Sequence, residues 1–178
     1  RTNGVANVTF EQASGAALPI EAATVDGAIM HTVLTHVTNP DALLAETARV
    51  LRAGGRLAIC DADFSKASLA SFADDPLDAC ARTFVRDFVT DAHLVGKLRG
   101  LIADAGLLVE HFDLTARVIL TADQMLSWVV MTGRGMVERG EISQDFADAL
   151  AAEHNRRAEA GTLFGYQTFV TAIARKPA

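Results

Sequence analysis

The sequence predicts an α/β fold in which a mostly parallel sheet is flanked by helices. Two observations carry this. Val25-Asp26-Gly27-Ala28-Ile29-Met30 is short and almost continuously apolar, as a parallel strand covered on both faces would be. An amphipathic helix and a second apolar run, Arg56-Leu57-Ala58-Ile59-Cys60, follow it with short links. Strand, helix, strand in that order implies a right-handed parallel crossover.

Size and composition set the frame. The chain has 178 residues, one domain's worth, and half of them are apolar. The net charge is −6 and no basic run exceeds pairs such as Arg156-Arg157, which argues against a nucleic-acid surface. Cys60 and Cys80 have no zinc spacing; Cys60, in an apolar run, reads as a small buried residue in a reducing, cytoplasmic compartment. No apolar stretch approaches the ~18 residues of a membrane span. The polar opening Arg1-Thr2-Asn3-Gly4 is unlike a signal peptide, and a chain starting at Arg1 is expected to continue upstream.

The other elements follow in order. Val8-Thr9-Phe10 reads as a short strand, and residues 12–21 as a loop interrupted by Pro19. Asn39-Pro40-Asp41 opens the helix whose stripe is Leu43, Leu44, Thr47, Val50 and Leu51, and Ala53-Gly54-Gly55 closes it. The pattern is irregular from Phe64 to Pro76, then helical over 78–89 and 91–105. Residues 107–120 alternate as a strand or bent pair. Helices are expected over 122–137 and 143–160, the second capped by Ser143. β-formers crowd 165–174, a final strand.

The most specific segment runs from Val8 to Asp61. In order it holds Val8-Thr9-Phe10, Ala17-Leu18-Pro19-Ile20, Val25-Asp26-Gly27-Ala28-Ile29, Val33-Leu34-Thr35-His36 and Leu44-Ala45-Glu46-Thr47-Ala48-Arg49-Val50-Leu51-Arg52-Ala53-Gly54-Gly55. This ordered set resembles the middle of the class I S-adenosylmethionine-dependent methyltransferases of the ubiquinone/menaquinone-biosynthesis type. The resemblance implies a Rossmann-like sheet with its last strand antiparallel and S-adenosylmethionine as cofactor. It implies that Ala13, Ser14 and Gly15 edge the adenine, with Ser14 where the family usually has an acid. Met30, His31 and Thr32 would line the cofactor, and His36 takes one position of the family's paired histidines. His31 is the candidate catalytic base. Asp61 or Asp63 would orient substrate or cap the next segment. A metal site is not expected, because no carboxylate or thiolate has ligand spacing with His31 and His36.

The family's glycine-rich loop after a first strand has no counterpart before Val8, and Gly133-Arg134-Gly135 lies far downstream in a helical pattern. Residues 1–178 therefore read as a partial methyltransferase domain, its N-terminal strands missing. It divides into a cofactor-side half (1–63), a helical segment (64–106), and C-terminal strands (107–178) with a helical insertion at 122–160. The Val25–Met30 strand becomes an exposed apolar edge, through which self-association is expected. Phe84, Phe88, Met125, Trp128, Met131 and Met136 are candidates for a lid over a largely apolar small acceptor. The reading is methyl transfer by a longer enzyme, the fragment alone being inactive. The rival is a non-catalytic interaction module with the same fold. A nicotinamide dehydrogenase and a serine hydrolase are disfavoured for want of G-x-G-x-x-G, Tyr-x-x-x-Lys and G-x-S-x-G.

Overall fold

A computed structural model describes residues 6–178. Its elements are β1 (Val25–His31), α1 (Pro40–Val50), β2 (Leu51–Ser68), α2 (Pro76–Phe88), α3 (Leu94–Asp104), β3 (Leu108–Ile119), α4 (Leu126–Glu138), α5 (Gln144–Glu159) and β4 (Gly165–Arg175), with a 3-10 turn at Leu34–His36. The sheet order is β1-β2-β4-β3. β1 is parallel to β2, and β4 is antiparallel to both its neighbours, so three strands point one way and the last runs against them.

Helix α1 forms where the capping chemistry places it. Asn39 Oδ1 accepts the Ala42 N–H at 3.0 Å, and Pro40 begins the helix. Its C-terminus differs from expectation. The helix ends at Val50, and Gly54, at φ +75°, makes a separate turn whose N–H reaches the Lys176 carbonyl. The carbonyls left at the helix end are met instead by Lys176, whose Nζ donates to Ala48 O at 2.6 Å and Leu51 O at 2.7 Å.

Two apolar cores result. One lies between the sheet and α1 and α3, with Leu44, Leu57, Ile59, Leu98, Ile102 and Val170 at its centre. The other joins α2, α4 and α5 around Leu77, Cys80, Val129 and Leu150. There α4 and α5 approach closely: a Cβ on Gly133 would lie 3.3 Å from that of Ala147. Ser143 caps α5, accepting the Phe146 N–H at 3.2 Å. A buried ion pair ties the two helices' ends together, Arg157 of α5 donating to Asp75, which precedes α2.

Three further expectations are corrected. Val8-Thr9-Phe10 is not a strand; no described strand offers it a ladder, and Phe10 is 73% exposed. β1 is not covered on both faces. It is an edge strand whose Met30 enters the core while Ile29 is 81% exposed, because α1 and α3 pack on one face only. The irregular stretch begins later than expected, since β2 continues to Ser68 with a break in its β4 register between Asp63 and Ser68.

Candidate functional site

At the carboxyl end of β1 the chain leaves the sheet sharply. Thr32 holds φ +51°, a conformation rare for a β-branched residue, while its N–H donates to the Cys60 carbonyl at 2.8 Å. The following turn is fixed by Asp61, fully buried in β2 one residue past Cys60, the partner of His31. Asp61 Oδ2 accepts the N–H groups of Val33 (3.1 Å) and Leu34 (2.8 Å). Its Oδ1 accepts the Thr35 hydroxyl (2.7 Å) and the Ala62 N–H (2.9 Å). Asp61 thus positions the turn and is saturated by it. Asp63 closes a local turn with Ser65.

That turn presents His36. Its Nδ1 lies 3.0 Å from the Phe88 carbonyl, which can only accept, so Nδ1 carries the proton and Nε2 is left as the acceptor. The ring meets the edge of Phe64 at 5.5 Å. His31 is exposed, its Nδ1 3.0 Å from the Thr32 hydroxyl.

These residues open onto a cleft of about 440 Å³, a size suited to a small molecule. His31, Thr32 and His36 form one side. Phe64, Phe84 and Trp128 form an aromatic wall in which Phe84 and Trp128 lie parallel, centroids 4.0 Å apart. Arg117 of β3 and Gln167 of β4 close the far end. The cleft sits at the carboxyl end of β1 and beside Ala62 and Phe64, where β2 runs on past the end of the β1 ladder, the ligand end of an open α/β sheet.

The structure distributes the other candidate residues elsewhere. Ala13 and Ser14 are exposed on a turn bridged between Ser14 and Ala17, outside the cleft. Gly15 packs against Leu43, whose side chain would have to move to admit a Cβ there. Met30, read as lining the cofactor, belongs to the core. Of the six lid candidates, Phe84 and Trp128 line the cleft; Met125 and Met136 are buried in the second core, and Phe88 and Met131 are exposed at a separate shallow depression. Cys60 is half-buried rather than buried. Among the described residues no three His, Cys, Asp or Glu side chains gather as a metal site. Among the described residues no glycine-rich turn follows a strand.

Some roles carried no readable signal. Glu46 and Arg49 pin the Leu18–Ile20 loop onto α1: Glu46 accepts the Leu18 N–H at 2.7 Å, and Arg49 donates to the Ile20 carbonyl at 2.8 Å. The Arg49 guanidinium and the Leu18 amide hold the Glu46 carboxyl down at about 2. Arg117 and Gln167 are adjacent only through the β3–β4 register.

A family model described as a methyltransferase domain matches residues 1–59. A functionally uncharacterised 37.1 kDa protein of transposon Tn4556 from Streptomyces fradiae is 29% identical over 98% of this chain, and the chain spans about half, 50%, of its length. Among solved structures, a candidate methyltransferase from Bacillus halodurans is 17% identical, with 99% of this chain and 74% of that one superposed at a TM-score of 0.60. The YcgJ protein of Bacillus subtilis is also 17% identical, covering 98% of this chain and 74% of its own at 0.61. Residues 1–59 match a methyltransferase-domain model, and the chain's fold, a mixed sheet with its last strand antiparallel flanked by helices, is similar to that of the Bacillus halodurans candidate methyltransferase.

Proposed function

We propose that this chain is part of a longer enzyme that transfers a methyl group from S-adenosylmethionine to a small, largely apolar molecule, the acceptor entering the cleft beside His31 and His36. The observation that supports it best is an aromatic-walled cleft where the β1–β2 ladder ends, in a chain with this fold whose residues 1–59 match a methyltransferase-domain model. Methyl transfer from a sulfonium needs the acceptor aligned and water excluded, and orientation of that kind is worth on the order of 7–11 kcal/mol. Phe64, Phe84 and Trp128 supply the excluding wall. Where the acceptor must lose a proton, His31 or His36 takes it; His36 has its acceptor nitrogen fixed by the Phe88 carbonyl.

The cofactor's cradle lies outside the described residues, so the test uses the intact gene product. It is expected to bind labelled S-adenosylmethionine in equilibrium dialysis, whereas residues 1–178 alone bind it at least about tenfold more weakly. Failure of the intact product to bind would sink the proposal. Once an acceptor is known, the histidine acting as base is the one whose alanine variant loses kcat at little changed KM.

A further inference from the structure

We propose that the cleft selects a flat, unsaturated small monoacid, its carboxylate held between Arg117 and Gln167 and its apolar body laid along Trp128. This rests on reading the cleft as the acceptor pocket and names the acceptor's class.

Arg117 and Gln167 are direct partners in the antiparallel β3–β4 pair, so their side chains rise side by side from one face. Both border the main cleft and a smaller adjoining recess, and Trp128 borders both as well. Every other described arginine meets a carboxylate, or in the case of Arg99 an aromatic ring. Arg117 has neither a hydrogen bond nor an ion pair among the described residues. Gln167 is only 7% exposed as a residue, its amide makes no hydrogen bond among the described residues, and it borders the cleft and the recess. An amide that opens into a cleft beside a guanidinium with no carboxylate of its own can donate, together with that guanidinium, to the oxygens of one ligand carboxylate.

The surroundings narrow the ligand. Phe84 and Trp128, only 2° from parallel, favour a planar body. Asp123 lines the recess beside Arg117. Its carboxyl is held below the usual range by the Thr121 hydroxyl and its own backbone amide, with the Arg117 charge adding to the effect. A dianion such as a phosphate monoester would face that carboxylate; a single carboxylate reaching Arg117 and Gln167 meets less repulsion.

The test is calorimetric titration of the chain with trans-cinnamate and with trans-cinnamyl alcohol, which share a shape and differ in charge. The acid is expected to bind about tenfold or more tightly than the alcohol. Arg117→Gln should bring the acid to the alcohol's affinity and leave the alcohol unchanged. Trp128→Leu should weaken both, and circular dichroism confirms that each variant is folded. Equal affinities in the unaltered chain, a preference that survives Arg117→Gln, or binding of neither probe would overturn the proposal. No S-adenosylmethionine is needed, so the two readings fail separately. Acid preference with no cofactor binding by the intact product sinks methyl transfer alone, and cofactor binding without acid preference sinks the acid site alone.

Discussion

Asp61→Ala is expected to lower folding stability by about 3 kcal/mol or more and to loosen the turn that presents His36. The carboxylate is fully buried and accepts four hydrogen bonds from the segment 33–35 and from Ala62. Alanine leaves those donors facing an apolar interior, where each unsatisfied group costs about 1–3 kcal/mol. Water entering the gap or a shift of the turn recovers part of this, and for that reason the sum is not simply additive. Asp61→Asn keeps one carbonyl oxygen and is expected to lose about half as much, since a hydrogen bond to a charged acceptor is roughly twice as strong as a neutral one. Urea denaturation measures both variants, with stability taken from the midpoint and slope. A change under about 1 kcal/mol for the alanine variant would show that the turn holds itself without Asp61.

Arg157→Met is expected to cost about 3–5 kcal/mol, because it strands a carboxylate in the interior. The Asp75 side chain is 0% exposed and that of Arg157 only 7%, with Nη1 to Oδ2 at 2.6 Å. Asp75 also accepts the Ser71 N–H at 2.9 Å and, as the cap of α2, the Leu77 N–H at 3.1 Å. Burial pushes its pKa up, but the Arg157 guanidinium and those two amides outweigh it and hold the group below its ordinary value. A carboxyl depressed in the folded state adds stability above its unfolded pKa, about 3.9, and loses that contribution as pH falls through the lower folded value. His154 acts at a higher pH. It is fully buried, its Nδ1 has no partner among the described residues, and burial lowers its pKa. Below about pH 6.5 the unfolded chain gains a proton there that the folded one resists, so stability declines on acidification. Acid titration of stability should therefore fall in two stages. Arg157→Met removes the Asp75 share of the lower stage and leaves the share of Glu46 and Glu153, both held at about 2, and a single-stage curve in the unaltered protein would contradict this assignment.

Local signals read from the sequence hold where they depend on local chemistry. Asn39-Pro40 starts α1 and Ser143 starts α5, since a cap needs only residues a turn away. Strand–helix–strand order from Val25 to Cys60 needs only periodicity, and the parallel β1–β2 pair follows it. Long-range partners are harder to see. Val8-Thr9-Phe10 has strand composition, but a strand exists only where another strand can pair with it. Gly54 follows α1 as a helix-ending glycine would, yet Lys176, 125 residues beyond Leu51, satisfies the helix end instead. The site divides the same way. His31, Thr32 and His36 are legible because they follow an apolar strand in a recognisable motif. Arg117 and Gln167 become neighbours only when β3 and β4 are set in register.

Trp128 is the chain's single tryptophan. Its indole stands in the cleft wall against Phe84 and borders the polar recess as well. Emission from this protein excited at the red edge of aromatic absorption therefore originates at one known spot. A molecule displacing solvent from that spot shifts the spectrum to the blue, and unfolding shifts it to the red. Occupancy and integrity can thus be followed optically without attaching a dye.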